Sequence, residues 1–223
     1  MKTYFGFSLI EVTIALLVVG LLTTGLIVPF AKQMDAQKIK QTNKKLEQIK
    51  EALFGFAVIH ERLPCPDADT DGLDGFEDFP CDASSINTQN SLPWATLGIG
   101  KLDGWKRQFR YRVDEEYANG IPDSLKTDID NKLVVKGEQT GYKLTSSEEY
   151  DDGTLLKYSR IIAIVFSCGR NGYPESSNNT ITATYVRGNY VENTFDDQLT
   201  WLSKYTLMRR LLIAKKLPPK IYQ

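Results

Sequence analysis

Asp67, Asp69 and Asp71 alternate along the stretch DADTDGLDGFED, residues 67–78, which Asp78 closes. Counted as a twelve-position loop, the three aspartates occupy positions one, three and five, Gly72 position six, Leu73 position seven and Asp78 position twelve. That order suits calcium, a hard cation taking about six to eight oxygen ligands: carboxylates come from odd positions, the glycine permits a sharp turn, and the carbonyl at position seven adds a ligand. Two features depart from a full calcium-binding hand. Asp78 stands where a longer glutamate usually reaches the ion with both oxygens, and Pro64 and Pro66 leave no room for an entering helix. A solvated acidic loop is the alternative, and carboxylates converging on one point would distinguish the two. If calcium binds, an affinity of about 10⁻⁴ to 10⁻³ M, the extracellular class, is expected.

Other reactive chemistry is sparse. The single histidine, His60, sits where a long helical pattern runs out, so it reads as a cap or packing residue. There is no nucleophile elbow, phosphate-binding glycine loop or zinc spacing, and the chain reads as a non-enzyme. The balance of 27 basic against 28 acidic side chains provides no general argument for nucleic acid. The charges are unevenly placed, however. Seven acids and no base lie between Cys65 and Asp82, while after Asp197 come only Lys204, Arg209, Arg210, Lys215, Lys216 and Lys220. The basic tail is interleaved with Leu211, Leu212 and Ile213, a pattern closer to an amphipathic packing helix than to a phosphate-binding surface.

The elements that must carry these residues begin with a long helix. From Val12 to Ala31 there are 20 residues without a charge, and about 20 apolar residues suffice to cross a hydrocarbon core. A secretory signal would have a basic leader, a shorter apolar core and a small-residue exit site, and this stretch fits that poorly. Glu11 stands directly against the run. A carboxylate at the bilayer centre costs about 2.5–3.5 kcal/mol on insertion scales, so such a residue calls for a partner, which a plain membrane anchor does not supply.

At Gly6-Phe7-Ser8-Leu9-Ile10-Glu11-Val12 and the apolar run that follows, the chain resembles a type IV prepilin or a type II secretion pseudopilin. The resemblance implies cleavage after Gly6 by a prepilin peptidase, methylation of the new amino terminus at Phe7, and neutralisation of that amine by Glu11 when subunits stack. Such a buried pair acts more as a register device than as net stabilisation. Further segments, RLPCPD, SLPWATLGI, FRYRV, CGRNGY and FDDQLTWLS, look like those of prepilin-like proteins from Gram-negative bacteria. In many of these a Trp-Gly pair precedes the FRYRV strand, whereas here Lys106 follows Trp105.

The helical pattern continues past the membrane-like run. Ile39, Thr42, Leu46, Ile49, Leu53 and Phe56 recur at spacings of three and four and mark one apolar face. A helix from Phe7 to about His60 would be roughly 80 Å long. Pro29 inside it predicts a kink, either static or part of a bending on assembly. Beyond it, Phe109–Val113, Leu133–Lys136, Ile161–Ser167 and Thr180–Arg187 read as strands, and Leu199–Leu217 as a helix stopped by Pro218-Pro219. The expected class is α+β and pilin-like: a long N-terminal helix, membrane-spanning then amphipathic, packed on an antiparallel sheet, with a C-terminal helix. The expected organisation is a leader at 1–6, a membrane and filament-core helix at 7–30, its amphipathic continuation at 31–60, and a periplasmic or extracellular domain at 61–223. In that topology Cys65 and Cys81 reach an oxidising compartment, and a disulfide between them would close a loop of about 15 residues, worth about 3 kcal/mol in the chain-entropy model. Cys168 is expected as a buried free thiol, with pairing to either other cysteine left open.

The function implied is structural: an inner-membrane prepilin, processed and incorporated as a minor subunit of a type IV pilus-like filament. A secretion pseudopilin, or a pilus-tip module for adhesion or DNA uptake, is the alternative. Implied partners are the prepilin peptidase, other pilin or pseudopilin subunits, the inner membrane before assembly and its assembly platform. Nucleic acid is not an expected partner, and calcium is the one cofactor considered.

Overall fold

The first element, α1 (Leu9–His60), is a single helix of 52 residues. The computed structural model describes residues 6–68, 74–81, 90–121, 133–137, 143–145, 148–149, 155–156, 161–175, 178, 183–191 and 194–216; the side chains at 23–29, 143–145, 148–149 and 155–156 lie outside that description. The chain divides into two units, Met1–Lys40 and Gln41–Gln223.

In the first unit, the amide N–H of Glu11 donates to the Ser8 carbonyl at 3.0 Å and places the carboxylate in the first turn of α1. Glu11 is exposed, as are Phe7 at 82%, Leu9, Ile10, Leu16, Leu17 and Leu21. So large a contiguous apolar surface is unusual for a monomer in water. Among the described residues, no helix is long and apolar enough to cross a membrane.

The second unit packs the last turns of α1 on a sheet. Thr42, Leu46, Ile49, Leu53 and Phe56 are buried, the stripe expected from their spacing. The sheet has the order β1 (Asn90–Ser91), β2 (Arg110–Val113), β7 (Ile161–Ser167) and β9 (Gln198–Ser203), all antiparallel. Between β2 and β7 lie a short helix α2 (Glu115–Asn119) and the strands β3 (Val134–Gly137), β4 (Lys143–Thr145), β5 (Glu148–Glu149) and β6 (Leu155–Leu156). A second sheet has the order β4, β3 and β8 (Thr184–Arg187), with β3 antiparallel to β4 but parallel to β8. That parallel pair departs from the purely antiparallel sheet expected. β5 and β6 form a separate antiparallel pair.

All seven residues of β7 are buried, because the strand has a core on each side. Ile162, Ala163 and Val165 join Leu46, Leu53, Phe109 and Tyr111 in one core; Ile161, Ile164 and Phe166 join Val135 and Tyr185 in the other. A register shift between Ile161 and Ala163 against β9 breaks the strand's two-residue alternation there.

Leu199–Ser203, expected within the final helix, is a strand. Leu199 and Leu202 stand three apart and mimic helical spacing, but the segment completes the sheet against β7 and buries Leu199, Thr200 and Leu202. The helix starts later, as α3 (Lys204–Ile213), with Ser203 as its N-cap accepting from the Thr206 amide at 3.3 Å. α3 turns Leu207, Met208 and Leu211 into the core that α1 lines.

Candidate functional site

Two regions of the second unit gather side chains able to do chemistry. The first is the entrance to the acidic stretch after α1. Cys65 and Cys81 form the expected disulfide, with Cα atoms 5.3 Å apart, while Cys168 is free and buried. Burial, followed by the charge of Asp197, pushes the Cys168 thiol up to about 12, so it stays protonated and unreactive at neutral pH. Beside the disulfide, Arg62 donates to Glu77 through both guanidinium nitrogens, at 2.7 and 2.8 Å, and the Cys65 amide donates to the same carboxylate at 2.9 Å. The Arg62 guanidinium also lies 4.2 Å over the Phe79 ring. The Tyr111 hydroxyl donates to the Pro64 carbonyl at 3.1 Å. Burial, then the charge of Glu77, raises its pKa well above the ordinary tyrosine value, with Arg62 opposing.

Of the candidate calcium ligands, Asp69, Asp71 and Leu73, like Gly72, lie outside the described residues. The ends of the loop are described. Asp67 is buried and pairs backbone-to-backbone with Ser91 in both directions at 3.1 Å. Asp78 accepts the Ala68 amide through Oδ2 at 2.7 Å, a bond that closes the neck of the loop. His60 stacks on Phe56 with ring centroids 4.1 Å apart, the packing role expected of it.

The second region brings together two segments that carry no metal-binding or catalytic motif in sequence, CGRNGY and FDDQLTWLS. β7 ends at Ser167, and residues 169–175 turn back over the start of β9. The turn is held by its backbone. The Asn171 amide donates to Asp196 Oδ2 at 3.0 Å, and the Glu175 amide donates to Asp197 Oδ2 at 2.8 Å. In return, Glu175 Oε2 accepts the amides of Asp196 and Asp197 at 2.7 and 3.1 Å. Asn171 Nδ2 also donates to Glu175 Oε1. Asn178, fully buried, donates to Asp197 Oδ2 at 2.9 Å and pairs with Val186 of β8 through both its amide atoms. Arg107 reaches across from the preceding loop to donate to the Arg170 carbonyl at 3.1 Å.

Gly169 makes the turn possible. Its φ is +51°, and a Cβ there would lie 2.4 Å from both the backbone oxygen and Oδ1 of Asp196.

The result is a cluster in which Glu175, Asp196 and Asp197 each bring one oxygen within 4.8 Å of the others'. Asp196 and Asp197 are 7% and 4% exposed. At an effective dielectric constant of 20, two unit charges about 4 Å apart repel by about 4 kcal/mol, so three ionised carboxylates here are costly unless something compensates. The protonation equilibria reflect this. Burial above all pushes the Asp197 carboxyl up to about 7, with its hydrogen bonds from Glu175 and Asn178 opposing and the charges of Glu175 and Asp196 adding. Asp196 is raised as well, again mainly by burial. Chemically, the arrangement can hold either extra protons or a hard cation.

Glu175 and Asp196 are 21 residues apart in sequence, so no local spacing announces the cluster. The one sequence signal is the adjacent acid pair Asp196-Asp197 opening an apolar strand. No family model, curated protein or solved structure matches the chain.

Proposed function

We propose that this chain is a structural subunit, of minor-pilin type, in a type IV pilus-like filament, made as an inner-membrane prepilin, cleaved after Gly6 and methylated at Phe7. The observation that carries the reading is the construction of α1. One continuous helix has Glu11 in its first turn, exposed apolar side chains from Leu9 to Leu22, and core residues from Leu46 to Ala57 in its last turns. The run of exposed apolar side chains in the first unit calls for lipid or for neighbouring helices. In this reading Glu11, exposed within the chain, neutralises the Phe7 amine of another subunit. The partners that follow are a prepilin peptidase, sister subunits and the inner-membrane assembly platform.

The basic C-terminal segment fits a packing role in this reading. Arg210 pairs with Glu51 at 2.6 Å and lies over the Phe54 ring, and Lys216 reaches Glu61 at 3.3 Å. Arg210 is thereby directed at α1 and Lys216 at the residue that follows its last turn.

The test is an intact mass of the protein purified from native membranes. Loss of Met1–Gly6 with one added methyl group is the expected result. A full-length, unmethylated chain in cells with an active prepilin peptidase overturns the proposal.

A further inference from the structure

We propose that the cleft along the outer edge of β9 receives an extended peptide strand from a partner protein, acidic on one face and uncharged on the other. This inference stands on the geometry of the second unit and does not depend on the filament reading.

β9 ends one side of the four-stranded sheet. It pairs with β7, and among the described residues no backbone hydrogen bond reaches it from the other side. An open edge is a row of amides and carbonyls ready to pair with another chain, and folded proteins usually shield it with charges, proline or a covering segment. This fold shields two other edges. Ser91 of β1 pairs outward with Asp67 through two backbone bonds at 3.1 Å. Asn178 closes the far side of β8, accepting the Val186 amide at 2.7 Å and donating to the Val186 carbonyl at 3.1 Å. β9, with the sequence QLTWLS, has neither a charge nor a proline, and no side chain takes such a place beside it among the described residues.

The space along this edge is walled by both layers of the domain. A cleft of about 330 Å³ is bounded by Leu46, Glu47 and Lys50 of α1, by Leu199 and Trp201 of β9, and by Arg187 of β8. Leu46 belongs to the core on one face of the sheet and Leu199 to the core on the other. A single cleft can touch both only by passing around the edge of the sheet. A strand added there would lie about 4.7–4.9 Å from β9, with alternate side chains directed toward α1 and toward Arg187.

The two walls set the side-chain chemistry. The Arg187 guanidinium is exposed, lies 5.3 Å over the Trp201 ring and meets no carboxylate among the described residues. Lys50 and Glu47 already pair with each other at 3.8 Å. Arg187 is therefore the uncompensated charge of the cleft, and an acidic side chain opposite it gains a charge-assisted hydrogen bond. On the α1 side the charges are balanced, so uncharged side chains suit that face. Main-chain pairing supplies the affinity of such added strands, and the alternating side chains supply their selectivity.

The test uses the full chain in detergent and a capped heptapeptide of alternating valine and glutamate, titrated calorimetrically to about 1 mM. Saturable uptake of one peptide per chain is expected, with slowed hydrogen exchange at the β9 amides. The valine-lysine counterpart should bind at least about tenfold more weakly, and Arg187→Glu should reverse that preference. Arg209→Glu, which reverses an exposed cation of α3 outside the cleft, should leave it unchanged. Of two peptides N-methylated on alternate amides, one should lose uptake and the other keep it, because only one edge of the peptide can bond to β9. Absence of uptake at about 1 mM overturns the proposal, as does uptake that is indifferent to Arg187→Glu or equal in the two methylated peptides. Self-association that protects β9 and excludes the peptide would place a second copy of the chain in the cleft, and overturns it as well. None of these readouts involves cleavage after Gly6, so their failure leaves the filament proposal to its own test.

Discussion

Glu175 and Asp197 are tied to each other twice: the Glu175 amide donates to Asp197 Oδ2 at 2.8 Å, and the Asp197 amide donates to Glu175 Oε2 at 3.1 Å. The two residues are 22 apart in sequence, yet this reciprocal pair fixes their carboxylates side by side. It does so with main-chain donors, which cannot rotate away as side chains can.

The first prediction concerns pH. Asp197 is raised to about 7 in the folded chain, against about 3.9 for an unperturbed aspartate. Between those values the folded chain holds a proton that the unfolded chain has released, so this group's contribution to stability falls as pH rises through the window from about 4 to 7. In chelator-treated protein, the urea midpoint of the wild type should decline relative to that of Asp197→Asn as pH is raised from about 4.5 to 7.5. Equal pH dependence in the two proteins would exclude Asp197 as the buried acid responsible.

The second concerns Lys106, which adopts φ +64°, a left-handed conformation that favours glycine. The turn around it is firm: the Asp103 amide donates to the Arg107 carbonyl at 2.8 Å, and Asp103 Oδ1 accepts the amides of Trp105 and Arg107 at the same distance. Relief of a left-handed non-glycine residue, less the backbone entropy a glycine adds to the unfolded state, leaves a gain of about 0.5–1 kcal/mol for Lys106→Gly. Chemical denaturation should register that gain as a higher midpoint with an unchanged slope; a lower midpoint would contradict the backbone argument.

The third concerns Gly169. An added Cβ would press on both the backbone and side chain of Asp196, on a positive φ that an L residue resists. Gly169→Ala should destabilise by about 1–3 kcal/mol. Unchanged unfolding would mean that the turn relaxes freely.

The parts of the molecule legible in sequence are those decided by local patterns. Leu46, Ile49 and Leu53 recur with the helical period and are all buried on α1, and the uninterrupted apolar run Ile161–Phe166 lies in the doubly buried β7. The Trp105-Lys106 departure also proved informative, since it falls on a left-handed position. What stayed hidden was decided by distant pairing. Leu199 and Leu202 fit a helix as well as a strand, and only the open edge of β7 selects the strand. The carboxylate cluster was hidden for the same reason. Its members come from two loops 21 residues apart, so no local spacing marks them. The Cys65–Cys81 disulfide lay between these cases, since the two residues bracket a loop that their own neighbours close.

The core that Leu46, Ile49 and Leu53 begin is completed by Leu207 and Leu211. The stripe of α1 is thus covered by a segment translated about 160 residues after it. At about 5–20 residues per second, translation leaves the apolar stripe of α1 uncovered for roughly 8–32 seconds. During that interval the nascent chain depends on a temporary cover, and a product truncated before Leu207 never acquires its own.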